Sequence, residues 1–193
     1  RHARGLAVID RDGEYRLCKR PIPATQLVAQ PEFASALCAL EGRYGQSAGR
    51  TTLILGHTRY RTRGCESNNL NNHPLRAADW IGTANGTIYN APSLFRRHRL
   101  YRHAEVDSEL VLRLADKFAD VGALDLPGFI GALRPARGQL RAVFASLCAP
   151  EVTYVIHGNR PLVLRAHRRY RVVAYASETR LLAAVLHHLS GWR

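Results

Sequence analysis

The sequence predicts an α+β fold in which sheets pack face to face and helices lie outside them. Strand-like apolar runs form two groups along the 193 residues, and helical patterns collect between the groups and after the second. Segregated strands and helices are typical of α+β architectures, whereas regular alternation would indicate a parallel α/β sheet. No internal repeat, low-complexity tract or long linker divides the chain, so we expect one domain over residues 1–193.

The first half of the chain begins with a predicted hairpin. Asp12-Gly13 lies between two short apolar runs, and an Asp-Gly turn in that setting is a hairpin signal. A helix is predicted after Pro31, because proline suits a first helical turn and helical spacing follows it. Strands are predicted at residues 6–9, 15–18, 51–60 and, as two pieces around a glycine-rich break, 80–89, with the helix at residues 32–40.

The second half contains the clearest helix and a run of short strands. The segment DSELVLRLADKF places Leu110, Val111 and Leu114 on one stripe, as an amphipathic helix does. Short apolar runs separated by Pro, Gly and Asn follow it and favour an antiparallel meander. Strands are predicted at residues 140–147, 152–156, 162–165 and 172–175, and helices at residues 107–118, 126–133 and 178–189.

The composition argues against several classes of protein. No apolar run approaches the roughly 18 residues that a membrane-spanning helix needs, and no signal peptide is visible. The four cysteines are scattered and form no CxxC pair, which favours a reduced, cytoplasmic protein over a disulfide scaffold or a zinc site. We expect neither a metal ion nor a cofactor.

The positive charge permits two interpretations. The formal net charge is +13, carried almost entirely by arginines that concentrate modestly at residues 96–99 and 165–171. Such a charge gives affinity for an acidic or nucleic-acid partner, but it equally describes the solvated surface of a protein from an arginine-favouring genome.

Polar residues and glycines at predicted strand and helix ends form a candidate site for a free amino acid. Arg59 and Thr62 would lie at a sheet edge, where a guanidinium can grip a carboxylate with two parallel hydrogen bonds. Asn85-Gly86 in a tight bend offers a side-chain amide and a backbone N–H, as an oxyanion hole does. Asp107 at a helix start could accept from an ammonium group. Taken singly, Arg59 could equally form a surface ion pair, Asn85-Gly86 an ordinary turn and Asp107 a helix N-cap.

Six segments, in order, resemble the motifs of the class II glutamine amidotransferases. This family of N-terminal-nucleophile hydrolases supplies ammonia from glutamine to synthases. The first four are residues 56–64 (GHTRYRTRG) for GHTRWATHG, 72–74 (NHP) for NAHP, 84–90 (ANGTIYN) for HNGIIxN, and 106–109 (VDSE) for TDSE. Residues 157–162 (HGNRPL) and 176–178 (ASE) resemble the RDGxxPL and ASE segments.

The resemblance implies a fold, a reaction and a role for each site residue. The fold is a four-layer αββα sandwich of two mainly antiparallel sheets flanked by helices. Arg59, assisted by Thr62, would hold the α-carboxylate of glutamine, and Asp107 would hold its α-ammonium group. The Asn85 side chain and the Gly86 N–H would stabilise the tetrahedral oxyanion. The ammonia would pass to a synthase domain or subunit.

The departures from the family pattern concern the nucleophile and the pocket. The family uses an N-terminal cysteine whose α-amino group is the general base. That cysteine would precede Arg1, so we expect this chain alone to bind glutamine without hydrolysing it; a relative without the cysteine would be an inactive binding or structural module. Cys65 is the first candidate for a substitute nucleophile. Arg61 and Arg63 replace the family's Ala and His and add positive charge beside the pocket.

Overall fold

Eleven strands and six helices make up the part of the chain that the structure, a computed structural model, describes: residues 3–41, 51–60, 63–159 and 161–192. The strands are β1 (Ala3–Asp10), β2 (Tyr15–Arg20), β3 (Thr51–Arg59), β4 (Leu75–Ala77), β5 (Trp80–Ile88), β6 (Ala119–Asp120), β7 (Ala123–Leu124), β8 (Gly138–Ser146), β9 (Thr153–His157), β10 (Val163–His167) and β11 (Val172–Ala176). The helices are α1 (Ala24–Leu27), α2 (Pro31–Glu41), α3 (Ala91–Arg97), α4 (Glu109–Lys117), α5 (Leu126–Leu133) and α6 (Thr179–Leu186), with a 3₁₀ turn at Asn69–Asn71.

Two antiparallel sheets form the centre of the fold. The first has the strand order β2-β1-β3 and the second β4-β5-β8-β9, while β6-β7 and β10-β11 form separate two-stranded ribbons. Alternate residues of the two larger sheets meet in one apolar layer, to which β1 contributes Ala7 and Ile9, β3 contributes Leu55, β5 contributes Ile81 and β8 contributes Val143. The sheets therefore pack face to face, since side chains on opposite faces of a strand alternate.

Helices cover the outer face of each sheet. On the first sheet, Leu6 and Val8 of β1 pack against Ala36 of α2. On the second, the buried stripe of α4, including Leu110 and Leu114, packs with residues of α3, α5, β5 and β8 in the largest core cluster. These four layers confirm the predicted α+β fold and the αββα order.

The structure differs from the prediction in two places. β5 is one continuous strand rather than two pieces, because its pairing with β8 runs unbroken from Trp80 to Ile88. Gly86 keeps that register at φ 135°, a conformation that L side chains rarely adopt; a Cβ there would meet the Gln139 carbonyl oxygen at 1.8 Å. The predicted meander also divides: β8 pairs with β9 in the second sheet, whereas β10 and β11 form a separate ribbon.

None of the helices within the described residues is long and apolar enough to cross a membrane.

Phe144→Ala should lower the free energy of unfolding by about 3–5 kcal/mol, because the Phe144 ring is 1% exposed and packs on the rings of Trp80 and Tyr154. Urea denaturation measures the change. Tyr101→Ala is the control, since that ring is 73% exposed and its loss should cost about 0.5 kcal/mol or less. Equal losses in the two variants would contradict the placement of Phe144 in the core.

Candidate active site

The candidate site lies along an edge of β5 that β4 leaves unpaired. β4 has three residues and pairs with β5 only from Trp80 to Gly82. Beyond Gly82, β5 continues to Ile88 with β8 on its other edge. The open stretch is bordered by β3, whose His57 lies beside the Ala84 backbone, and by the start of α4, where Asp107 accepts a hydrogen bond from the Ile88 N–H. A short partner strand therefore leaves room for side chains to approach the β5 backbone.

Arg59 is the last residue of β3 and lies on the face of the first sheet that meets the second. It is 4% exposed, which excludes the surface ion pair considered above. Its Nη1 donates to Asn72 Oδ1 at 3.0 Å, and its Nη2 donates to the carbonyl oxygens of Arg63 and Gly64, the latter at 3.0 Å. The guanidinium is thus held by one side chain and by the loop that follows β3.

Asn85 and Gly86 lie within β5 rather than in a tight bend, so the turn interpretation is wrong. The Asn85 side chain is exposed and makes no hydrogen bond within the described residues. Asn85 pairs in register with Arg141 of β8, and cross-strand partners share a sheet face. Arg141 is 8% exposed and donates to the carbonyl oxygens of Pro161 and Ser177, the latter at 3.1 Å. A second buried guanidinium therefore adjoins the site.

Asp107 is 6% exposed and precedes α4. Its carboxylate accepts a hydrogen bond from the Ile88 N–H, two residues beyond Gly86, which argues against the alternative role as a helix N-cap. The residue in the N-cap position is Ser108, which makes no side-chain capping bond. One backbone contact leaves acceptor capacity on the carboxylate, which has about four lone-pair positions.

Two histidines connect Arg59 with Asp107. The rings of His57 and His73 lie 4.5 Å apart, and His73 Nε2 lies 3.1 Å from the hydroxyl of Ser108, the neighbour of Asp107. His73 directly follows Asn72, the side chain that holds Arg59. A contact path runs from Arg59 through Asn72, His73 and Ser108 to Asp107. The predicted partners of the α-carboxylate and of the α-ammonium group therefore lie at the same end of the sandwich.

Both histidines are kept neutral by their surroundings. Burial lowers the pKa of His57 to about 4. The Ala84 backbone opposes this shift, and the charges of Arg59 and Arg141 reinforce it. Burial, with the charge of His57 next, lowers the pKa of His73 well below its usual value. The Nδ1 atoms of both rings are buried without a hydrogen-bond partner in the described structure.

Two further candidate residues are Thr62 and Cys65. Thr62 lies outside the described residues, as does Arg61. Cys65 is exposed in the loop after Gly64; its N–H donates to Glu105 Oε2 at 3.0 Å and its Sγ lies 3.0 Å from Ser67 Oγ. No group of three or more His, Cys, Asp or Glu side chains that could hold a metal ion occurs in the described ranges.

The sequence analysis missed the residues that support the site. His57, Asn72 and His73 stood inside quoted motifs but had no assigned role, and the preserved motif letters were the signal that could have identified them. Arg141 lies in an apolar strand, where a lone arginine was the available signal. A groove of about 380 Å³ lies between β2 and α2. It has no part in this site, since it borders the face of the first sheet that α2 covers.

His57→Gln should reduce the acid sensitivity of the fold. The folded pKa of about 4 lies below the ordinary 6.5, so between these values the unfolded chain binds a proton that the folded chain does not. The stabilisation is complete above pH 6.5 and is lost as pH falls toward 4; it amounts to on the order of 3 kcal/mol. Urea denaturation at pH 7.5 and 4.5 measures it.

The control for this prediction is His157→Gln, which replaces an exposed histidine on β9. We expect it to keep the wild-type pH dependence. A wild-type pH dependence in His57→Gln would contradict the buried neutral state of His57.

Solved structures share the fold of this chain, and three of them illustrate the match. The glutamine phosphoribosylpyrophosphate (PRPP) amidotransferase from B. subtilis, complexed with ADP and GMP, matches with a TM-score of 0.68 and 18% identity over 95% of this chain and 37% of that chain. The allosteric regulatory enzyme of purine biosynthesis matches with a TM-score of 0.65 and 17% identity, again over 95% and 37%. A glutamine aminotransferase class-II domain protein from Silicibacter pomeroyi matches with a TM-score of 0.57 and 18% identity over 90% and 79%.

These matches concern structure rather than sequence. No protein-family model and no curated protein matches the chain. The chain spans little more than a third of the length of the first two structures. At such low identities the comparison establishes the fold, and it confirms at that level the resemblance that the motifs indicate. The chain has the fold of a class II glutamine amidotransferase domain.

Proposed function

We propose that residues 1–193 form the glutaminase domain of a class II amidotransferase, which binds glutamine and supports its hydrolysis to glutamate and ammonia. The observation that carries the proposal is the contact path from Arg59 to Asp107 around the open edge of β5. A cation for a carboxylate and an anion for an ammonium group, held at one end of the sandwich, suit a free α-amino acid. The fold match and the six motifs favour glutamine as that amino acid.

Binding of the α-carboxylate requires an exchange of acceptors at Arg59. The Nη2 group of Arg59 donates to two loop carbonyls, those of Arg63 and Gly64. A carboxylate of the ligand would replace these carbonyls, while the contact from Nη1 to Asn72 keeps the guanidinium in place. A charge-assisted pair is stronger than a bond to a neutral carbonyl, so the exchange favours the ligand. Thr62 would assist.

The reacting end of glutamine would lie beside Gly86. With the α-ammonium group on Asp107, the side-chain amide would extend along β5 toward Asn85. The Asn85 amide is exposed and makes no hydrogen bond in the described structure, so it is available to donate to an oxyanion. Together with the Gly86 N–H it would stabilise the negative charge that develops when the amide carbon is attacked.

The nucleophile would be an N-terminal cysteine outside these 193 residues. The α-amine would take the proton of the thiol, and the thiolate would attack the amide carbon. The C–N bond would break as the α-ammonium group returns that proton to the leaving nitrogen, and water would then hydrolyse the thioester to glutamate and regenerate the thiol. Cys18 is an unsuitable replacement, because it is buried in β2 and burial raises its pKa. Cys38 in α2 and Cys148 after β8 lie in ordinary structural positions. Without such a cysteine the same pocket would serve an inactive glutamine-binding module.

The partners and the location follow from the same proposal. The ammonia would pass to a synthase domain or subunit. The four cysteines are scattered along the sequence and form no CxxC pair, which is consistent with a reducing, cytoplasmic location. Arg168, Arg169 and Arg171 are exposed between β10 and β11, and this turn is the candidate contact for an acidic or nucleic-acid partner.

Arg59→Ala should weaken glutamine binding at least tenfold, because one or two charge-assisted hydrogen bonds are worth about 1.5–3 kcal/mol each. Isothermal titration of the 193-residue chain measures the affinity without turnover. Arg97→Ala on α3 removes the same charge from an exposed position and should leave the affinity unchanged. Unchanged affinity in Arg59→Ala would remove Arg59 from the site.

Asn85→Ala should leave glutamine affinity nearly intact and slow hydrolysis about 10²–10³-fold in a form of the protein that carries the N-terminal cysteine. The loss falls on the rate constant because the donor acts on charge that exists only in the transition state. Ammonia release at saturating glutamine measures it. Undiminished turnover would show that Asn85 is only a strand residue.

A further inference from the structure

Lys19 of β2 holds the segment that carries Asn72 and His73. Its Nζ donates to the carbonyl oxygens of Asn72 at 2.9 Å and Pro74 at 3.1 Å, the residues on either side of His73. It is one of two lysines in a chain with 28 basic residues, so lysine stands here where the sequence otherwise uses arginine. Burial lowers its pKa to about 8.

The segment lies across a row of three residues in the first sheet. Gly5 pairs with Lys19 on one side and with His57 on the other, so the three share a sheet face. A Cβ at Gly5 would meet the His73 carbonyl oxygen at 2.2 Å and Pro74 Cδ at 2.8 Å. The missing side chain lets the segment rest directly on β1, with Lys19 above one end and the His57 ring against His73 at the other.

The same segment fixes the guanidinium of Arg59. Asn72 Oδ1 accepts from Arg59 Nη1 at 3.0 Å, and Asn72 Nδ2 donates to the Glu66 carbonyl at 2.8 Å. The position of Oδ1 therefore depends on the backbone of Asn72, whose carbonyl Lys19 binds. A compact ammonium with three donors can bind two carbonyls at once, which a planar guanidinium does with less freedom.

We propose that Lys19 is a positioning residue for the carboxylate end of the amino-acid site, acting on Arg59 through the backbone and side chain of Asn72. This inference rests on the proposed function, because it assumes that Arg59 binds the α-carboxylate. It adds to that function a residue that lies 53 positions before Asn72 in the sequence. A purely structural role would stabilise the fold without any preference for ligands that carry an α-carboxylate.

The test compares two ligands that differ only at the α-carboxylate. Glutamine and L-glutaminamide, in which a neutral carboxamide replaces the carboxylate, are titrated by calorimetry into wild type, Lys19→Met and Lys117→Met. Lys117 is the matched control, since its Nζ also binds a backbone carbonyl, that of His98 at 2.8 Å, outside the site.

We expect Lys19→Met to weaken glutamine binding about tenfold and to leave glutaminamide binding within about twofold, so that the preference for glutamine falls about tenfold. Lys117→Met should keep the wild-type preference. Equal weakening for both ligands, or no weakening, would overturn the positioning role. Thermal unfolding identifies a variant that fails to fold, in which case Lys19→Gln, which retains a donor, carries the same comparison. Wild type that binds neither ligand would overturn the proposed function as well.

Discussion

The face-to-face packing of the two sheets is the constraint on which the candidate site depends. The apolar layer between them is built from aliphatic side chains of both sheets, among them Ala7, Leu55 and Val143. At one end the same alternating positions carry His57, Arg59 and Arg141 instead. Because the strand period is two residues, the pattern that makes the core also aims these polar groups into the gap.

Burial then determines how these groups behave. Three cationic or potentially cationic side chains from β3 and β8 face one another, and the histidine responds by remaining neutral. The arginines stay charged and are satisfied by carbonyl oxygens and by Asn72. Such a site carries excess positive charge, which under the proposed function would favour an anionic ligand group near Arg59 and a developing negative charge beside Asn85. Asp107 supplies the one buried carboxylate among the described residues of this cluster.

The sequence predicted the layers of the fold better than the contacts of the site. Strand alternation and the α4 stripe are local patterns, so the elements and their layer order could be anticipated. The sequence left two roles open for Asp107, an acceptor for an ammonium group and a helix N-cap; its carboxylate binds the Ile88 N–H, 19 residues away, which no local pattern indicated. Lys19 gave no signal at all, since the carbonyls it binds become neighbours only when the sheet forms.

The central claim is that the end of the sandwich with Arg59 and Asp107 binds the α-carboxylate and α-ammonium groups of a free amino acid. A crystal structure of the 193-residue chain with glutamine tests it most directly. The account predicts that the α-carboxylate replaces the loop carbonyls on Arg59, that the α-ammonium group lies on Asp107, and that the side-chain amide oxygen points to Gly86. Glutamine bound elsewhere, or with its carboxylate away from Arg59 while the loop carbonyls keep their contacts, would contradict it.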